Sequence, residues 1–172
     1  MNVSLMAKAA LIAALTAATA IVAIPIGSVP VTLQVFFVLL AGLVLGPAYG
    51  ALSMIVYILL GIVGLPVFAG GAAGIGAVIG PRGGYLFGFV LAAVIVGFFA
   101  SRGNNSTSQL VVAMGAGIVA IYALGVAQLA LVTGMSLVQA LLAGAAPFII
   151  FDIIKAVAAV AVARRIGFVK GR

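Results

Sequence analysis

Asp152 and Lys155 are the residues whose presence most needs a chemical explanation, because both lie inside the apolar run from about Pro147 to Val162. Three positions apart on a helix, they share one face with about 60° between them. Each charge near the centre of a bilayer costs roughly 2.5–3.5 kcal/mol on insertion scales, so such residues have a partner or a task. As a mutual ion pair they would only neutralise one another, and apolar residues could replace a pair with no other use at little cost. Near the outer end of their helix they can instead present one acceptor and one donor to a polar ligand, the reading the position favours. A proton path through the pair is thinly supplied, with one membrane carboxylate and no histidine.

A second set of residues sits in a glycine-dense connection. It runs Gly64-Leu65-Pro66-Val67-Phe68-Ala69-Gly70-Gly71, then Gly74, Gly76 and Gly80-Pro81-Arg82-Gly83-Gly84-Tyr85. Glycine permits unusual backbone angles and close approach to a bound molecule. Apart from Arg82 the segment has no charge, so it is expected to fold back into the mouth of a bundle as a lid, with Gly70 and Gly71 at the ligand. The spacing of Gly74, Gly76 and Gly80 misses the dinucleotide fingerprint, and no glycine-lysine phosphate loop occurs, so the chain cannot hydrolyse ATP by itself. Gly76, Gly80, Gly84 and Gly88 also repeat every fourth residue, as helix-packing glycines do. Lid before Pro81 and packing after it is the expected division. Thr32 and Gln34 offer hydrogen bonds at the same mouth, where they can equally cap a helix. Phe68, Tyr85 and Phe148 are candidates for apolar walls.

These residues must be held by elements that live in lipid. The chain has 172 residues, of which 67% are hydrophobic and 5% charged, with a mean hydropathy of +1.51. Soluble domains run at roughly 25% charged. Eight Lys and Arg, one Asp and no His cannot coat a water-soluble globule. A spanning helix takes ~20 residues, which allows about six spans and no soluble domain beside them. Without Cys or His there is no disulfide and no ordinary zinc or haem site, so neither metal nor cofactor is expected. A single carboxylate excludes paired-carboxylate catalysis, and an enzyme is not expected. The net charge of +7 is scattered between apolar runs rather than gathered on a face for nucleic acid.

The expected fold is therefore all-α, an integral membrane bundle of six transmembrane helices forming one substrate-binding domain over residues 1–172. The spans are placed at about Ala7–Ile24, Val31–Leu45, Ala48–Gly64, Gly84–Ala100, Leu110–Val132 and Pro147–Val162. Ala18-Thr19-Ala20 mimics a signal-peptide cleavage site, but the apolar run continues past it to Ile24. Pro25, Gly27 and Pro30 break the helix after span one, and Gly46-Pro47 separates spans two and three. Leu137–Ala145 reads as a short interfacial run, and Ser101–Ser108 is the plainly hydrophilic stretch. Lys8, Arg102, Arg164, Arg165, Lys170 and Arg172 fall on the side of the termini, and Arg82 alone on the other. Basic residues accumulate in cytoplasmic loops, so both termini are expected in the cytoplasm and the lid outside the cytoplasmic membrane. On span one, Ala9, Ala13 and Ala17, with Ala10, Ala14 and Ala18 alongside, form small-residue stripes that must meet another helix, internal or from a separate subunit.

Taken together, Pro30-Val31-Thr32-Leu33-Gln34, the Gly64-to-Gly71 run, Gly80-Pro81-x-Gly83-Gly84-Tyr85-Leu86 and Pro147-Phe148 followed by Asp152-x-x-Lys155 resemble the BioY family. These are the biotin-binding S-components of energy-coupling factor (ECF) transporters, and the likeness covers nearly the whole chain. The resemblance implies a six-helix membrane fold that captures biotin from outside for uptake. It also implies partnership with a transmembrane T-component, docked through Ala9 and Ala13, and with two ABC-type ATPases. By the same pattern Asp152 and Lys155 contact the ligand and the loop after span three closes over it. One position departs: the pattern has a small residue such as Thr where this chain has Arg82, so Lys155 and Arg82 both stand as partners for the ligand carboxylate. A related S-component for thiamine or riboflavin fits less well, because two cations would repel thiamine and riboflavin would leave one unmatched.

Overall fold

The fold was obtained as a computed structural model, which describes residues 2–26, 29–102 and 106–166. Gly27, Lys170 and Arg172, and part of the hydrophilic stretch, lie outside the described residues. Helix α1 (Val3–Ala20) is followed by strands β1 (Ile24–Ile26) and β2 (Val29–Val31), then α2 (Gln34–Ile62) and the short α3 (Ile75–Ile79). Helices α4 (Gly83–Arg102), α5 (Thr107–Thr133), α6 (Leu137–Gly144) and α7 (Ile149–Arg165) complete the chain. Among the described residues, five helical stretches are long and apolar enough to cross a membrane: Val3–Ala20, Gln34–Ile62, Gly83–Arg102, Thr107–Thr133 and Leu137–Arg165.

The second of these stretches is not straight. Gly46 has φ 74° and ψ −177°, outside helical geometry, and Pro47 follows it without a backbone donor. A Cβ built on Gly50 would lie 3.2 Å from the Ala41 carbonyl group. Nine residues along a straight helix span about 13.5 Å, so the chain reverses at Gly46-Pro47 and residues 34–45 pack back on residues 47–62. The break expected between two spans at this dipeptide is thus a reversal of direction.

Packing is achieved with small residues, as it must be where lipid is as apolar as leucine. Ala92 and Ala93 of α4 and Ala159 and Ala163 of α7 are fully buried. A Cβ on Gly84 would come within 2.1 Å of the Leu124 carbonyl and one on Gly88 within 2.7 Å of the Ile121 backbone, so these glycines set the α4–α5 approach. Gly76 meets nothing within 4 Å, and Gly80 meets only the nearby backbone of residues 76 and 77. The glycine stripe therefore divides at Pro81 as its sequence suggested. Ala9 and Ala13 are 2% and 1% exposed and belong to the chain's own core. This corrects their assignment as a docking face. α1 lies against α2, and the stripe it leaves open is Ala10, Ala14 and Ala18.

Several boundaries also differ from expectation. α1 stops at Ala20 rather than Ile24, and α2 begins at Gln34 rather than Val31. The intervening residues form an antiparallel ribbon pairing Ile24 with Val31, Pro25 with Pro30 and Ile26 with Val29. Pro147 sits in a 3-10 turn, Ala146–Phe148, ahead of α7. α6 starts at a reciprocal cap, in which Ser136 Oγ accepts from the Gln139 N–H while Gln139 Oε1 accepts from the Ser136 N–H.

The bundle has two distinguishable ends. At one, the Asn2 N–H donates to Tyr49 Oη at 3.0 Å, Gly97 lies against Gly46 and Pro47, and Arg164 donates to Thr107 at 3.2 Å. Arg102, 4.0 Å above the Phe98 ring, belongs to the same end. The other end holds the ribbon, the 65–82 segment and the start of α7.

Candidate functional site

A cavity of about 290 Å³ opens at this second end. Its walls come from β2 and the first turn of α2, the 65–82 segment, α4, α5 and the start of α7. Of the residues singled out from sequence, Thr32, Gln34, Phe68 and Arg82 line it. So do Tyr85, Phe148, Asp152 and Lys155, which brings together positions more than a hundred residues apart.

Asp152 and Lys155 occupy the first two turns of α7, where the helix N-terminus favours a carboxylate. Their side chains are 5% and 11% exposed and joined at 2.7 Å between Oδ1 and Nζ. Tyr122 of α5 donates its phenol to the other carboxylate oxygen, Oδ2, at 2.6 Å. Asp152 is therefore held from both sides, although an ionised carboxylate still has lone pairs left for a ligand. Tyr122 was absent from the sequence reading. A single tyrosine in an apolar helix carries no signal of its own, and its partner lies 30 positions away.

A second polar group faces the cavity from the start of α2. The Gln34 amide nitrogen donates to Tyr57 Oη at 2.5 Å, and Gln34 Oε1 accepts from Thr32 Oγ1 at 2.8 Å. Thr32 Oγ1 also accepts from the Gln34 backbone N–H at 3.3 Å, so capping and network formation are one arrangement. Tyr57, fully buried behind the wall, was likewise not foreseen.

The aromatic walls are fixed by notches. Phe68 seats over Gly61, where a Cβ would fall 2.1 Å from the ring, and meets Tyr57 edge-to-face at 5.6 Å. Tyr85 threads between Gly125 and Gly144 and donates to the Gly144 carbonyl at 2.8 Å, so its hydroxyl is committed to holding α4 against α6. The 65–82 segment is anchored at its middle and near its far end: the Gly74 N–H donates to the Gly61 carbonyl at 2.7 Å, and Gln128 donates to the Val78 and Gly80 carbonyls at 2.9 and 2.7 Å.

The expectation for Gly70 and Gly71 changes here. Gly70 and Gly71 do not line the cavity. Their φ values of 72° and 79° make the turn that lets the Gly71 N–H donate to the Phe68 carbonyl and the Phe68 N–H to Ala72, which aims Phe68 inward. Arg82 is exposed at the rim, and among the described residues the one ion pair is Asp152–Lys155.

An apolar helix bundle with a lined cavity at one end, a buried ion pair in its wall and a loop folded across it defines a multi-pass membrane protein built to hold a small ligand. The family model for the BioY family matches residues 1–170. A probable biotin transporter BioY of Pyrococcus horikoshii is 45% identical over 157 residues, covering 91% of this chain and 92% of that one. The biotin transporter BioY of Thermotoga maritima is 44% identical over 159 residues, covering 92% and 93%. A crystal structure of the S-component for biotin from an ECF-type ABC transporter superposes with a TM-score of 0.87 at 30% identity, covering 95% of this chain and 90% of that one. The chain belongs to the BioY family.

Proposed function

We propose that this chain is the substrate-capturing S-component of an ECF-type transporter and takes up biotin. The observation that carries the reading is the nearly dry Asp152–Lys155 pair in the wall of an otherwise largely apolar cavity. Biotin combines an apolar thioether bicycle with a ureido group, which has two donors and one acceptor, and a carboxylate tail. Phe68 and Phe148 pack on the bicycle. Asp152 and the Gln34 amide meet the ureido group. The carboxylate goes to Arg82, because Lys155 is already neutralised by Asp152 and a rim position leaves the carboxylate partly hydrated. The family to which the chain belongs, and the relatives it resembles over nine-tenths of its length, support the same substrate.

In this reading the chain carries and does not catalyse. The reversal at Gly46-Pro47 divides α2 into two crossings, giving six spans in a cytoplasmic membrane with both termini on the cytoplasmic side and the cavity facing out. A T-component and two ABC-type ATPases supply the energy, and α1 docks through its open stripe, Ala10, Ala14 and Ala18. Isothermal titration of the purified chain in detergent tests the substrate: saturable biotin binding at one site per chain without nucleotide is expected. No biotin heat alongside saturable binding of another vitamin would overturn it.

A further inference from the structure

We propose that Tyr57 is a positioning residue that links the seating of the 65–82 segment to the orientation of the Gln34 amide in the cavity wall. Tyr57 has no exposed surface and no place on the wall itself, yet it touches both parties. One side of its ring meets Phe68 edge-to-face at 5.6 Å and 85°. Its hydroxyl accepts from the Gln34 amide nitrogen at 2.5 Å. With Thr32 Oγ1 donating to Gln34 Oε1 at 2.8 Å, the amide is pinned at both ends, nitrogen toward Tyr57 and carbonyl toward Thr32. It retains one N–H and one carbonyl lone pair. Those match the acceptor and a donor of a cyclic urea.

The link depends on how Phe68 is held. Its ring fills the notch over Gly61 and is 3% exposed, while the Gly74 N–H ties the same segment to the Gly61 carbonyl. Withdrawal of the segment removes Phe68 from its contact with the Tyr57 ring. The phenol then loses the packing that fixes its ring, and the Gln34 amide loses a fixed partner. A ureido ligand thus meets an ordered amide only when the segment is seated. The ligand's identity rests on the biotin reading above; the link between Phe68 and Gln34 does not.

The test is made on the full chain in detergent micelles, following the side-chain amide resonances of Gln34, identified by their loss in Gln34→Leu. Phe68→Leu should shift them in the parent and leave them unmoved in a Tyr57→Phe background, which keeps the ring and removes the hydroxyl. Tyr57→Phe should also weaken biotin about tenfold and weaken 2-iminobiotin less, since its ureido oxygen is replaced by nitrogen. The melting midpoint should fall by no more than the few degrees that one lost buried hydrogen bond accounts for. Gln34 resonances indifferent to Phe68→Leu in the parent, or shifted equally in both backgrounds, would overturn the link. Equal loss of both ligands would reduce Tyr57 to a packing residue. A parent that binds no biotin would sink the substrate reading instead, and the resonance comparison would still decide the link.

Discussion

Both oxygens of Asp152 are engaged before any ligand arrives, Oδ1 by Lys155 and Oδ2 by Tyr122. That arrangement separates the two cations of the cavity. Removing Lys155 leaves a buried carboxylate with only a phenol beside it, and breaking such a pair costs about 3–5 kcal/mol. Lys155→Met should therefore lower the melting midpoint in detergent and weaken biotin and biotin amide alike. Arg82 is exposed and holds no ion pair among the described residues, so Arg82→Thr should leave the fold intact. It should weaken biotin by roughly tenfold or more, from the loss of a charged hydrogen bond of about 1.5–3 kcal/mol, and spare biotin amide, which lacks the carboxylate. Titrating both ligands into both variants checks this; a biotin-selective loss in Lys155→Met alone would move the carboxylate to Lys155. At this scale the sequence reveals charge well, because Asp152 and Lys155 violate the apolarity around them. It hides neutral partners. Tyr122 and Tyr57 are ordinary in composition, and each acquires its role from a residue 30 or 23 positions away.

Among the helices, the positions that decide packing are those where a side chain would strike backbone. Gly88 faces the Ile121 backbone at the α4–α5 contact, whereas Gly76, on the short α3, has open space around its missing Cβ and an ordinary φ. Gly88→Leu should destabilise the bundle by about 1–3 kcal/mol or more through overpacking. Gly76→Ala should leave stability unchanged or raise it by roughly 0.5–1 kcal/mol, the ordinary helix gain. Thermal unfolding in detergent distinguishes the two, and equal losses would refute the division of the glycine stripe at Pro81. The division was legible because Pro81 punctuates the four-residue repeat. The reversal at Gly46-Pro47 was legible for a similar reason, since that dipeptide interrupts an apolar run. The β1–β2 ribbon was not: Pro25 and Pro30 read as helix breakers, and nothing local reveals that they lie opposite one another across two strands. Nor does alanine spacing tell which face of α1 turns inward. Ala9 and Ala13 are used up inside, so Ala13→Trp should impair folding, whereas Ala14→Trp should fold, bind biotin and fail to co-purify with a co-expressed T-component. Retention of the T-component by a folded Ala14→Trp chain would remove this stripe from the docking surface.

For the molecule as a whole, the distribution of charge and the position of the cavity make one consistent polarity. Arg102, Arg164 and Arg165 close one end, with the reversal at Gly46-Pro47 and the first residues of α1 beside them. The cavity and Arg82 occupy the other. Such an excess of basic residues marks the side retained in the cytoplasm, because moving Lys and Arg flanks across the membrane is disfavoured. In the orientation proposed above the cavity faces outward, as capture of an external nutrient requires, and release inward then demands that the chain reorient or open against a partner. The absence of cysteine from the sequence makes the polarity directly measurable. A single cysteine at Leu65, which is 46% exposed on the cavity side, should react with a membrane-impermeant maleimide in intact cells. One at Ser101, exposed at the basic end, should react only after the membrane is permeabilised. Both are surface positions at helix ends, so neither substitution disturbs the core. Labelling of Ser101→Cys, rather than Leu65→Cys, in intact cells would invert the orientation and with it the direction in which the cavity is first filled.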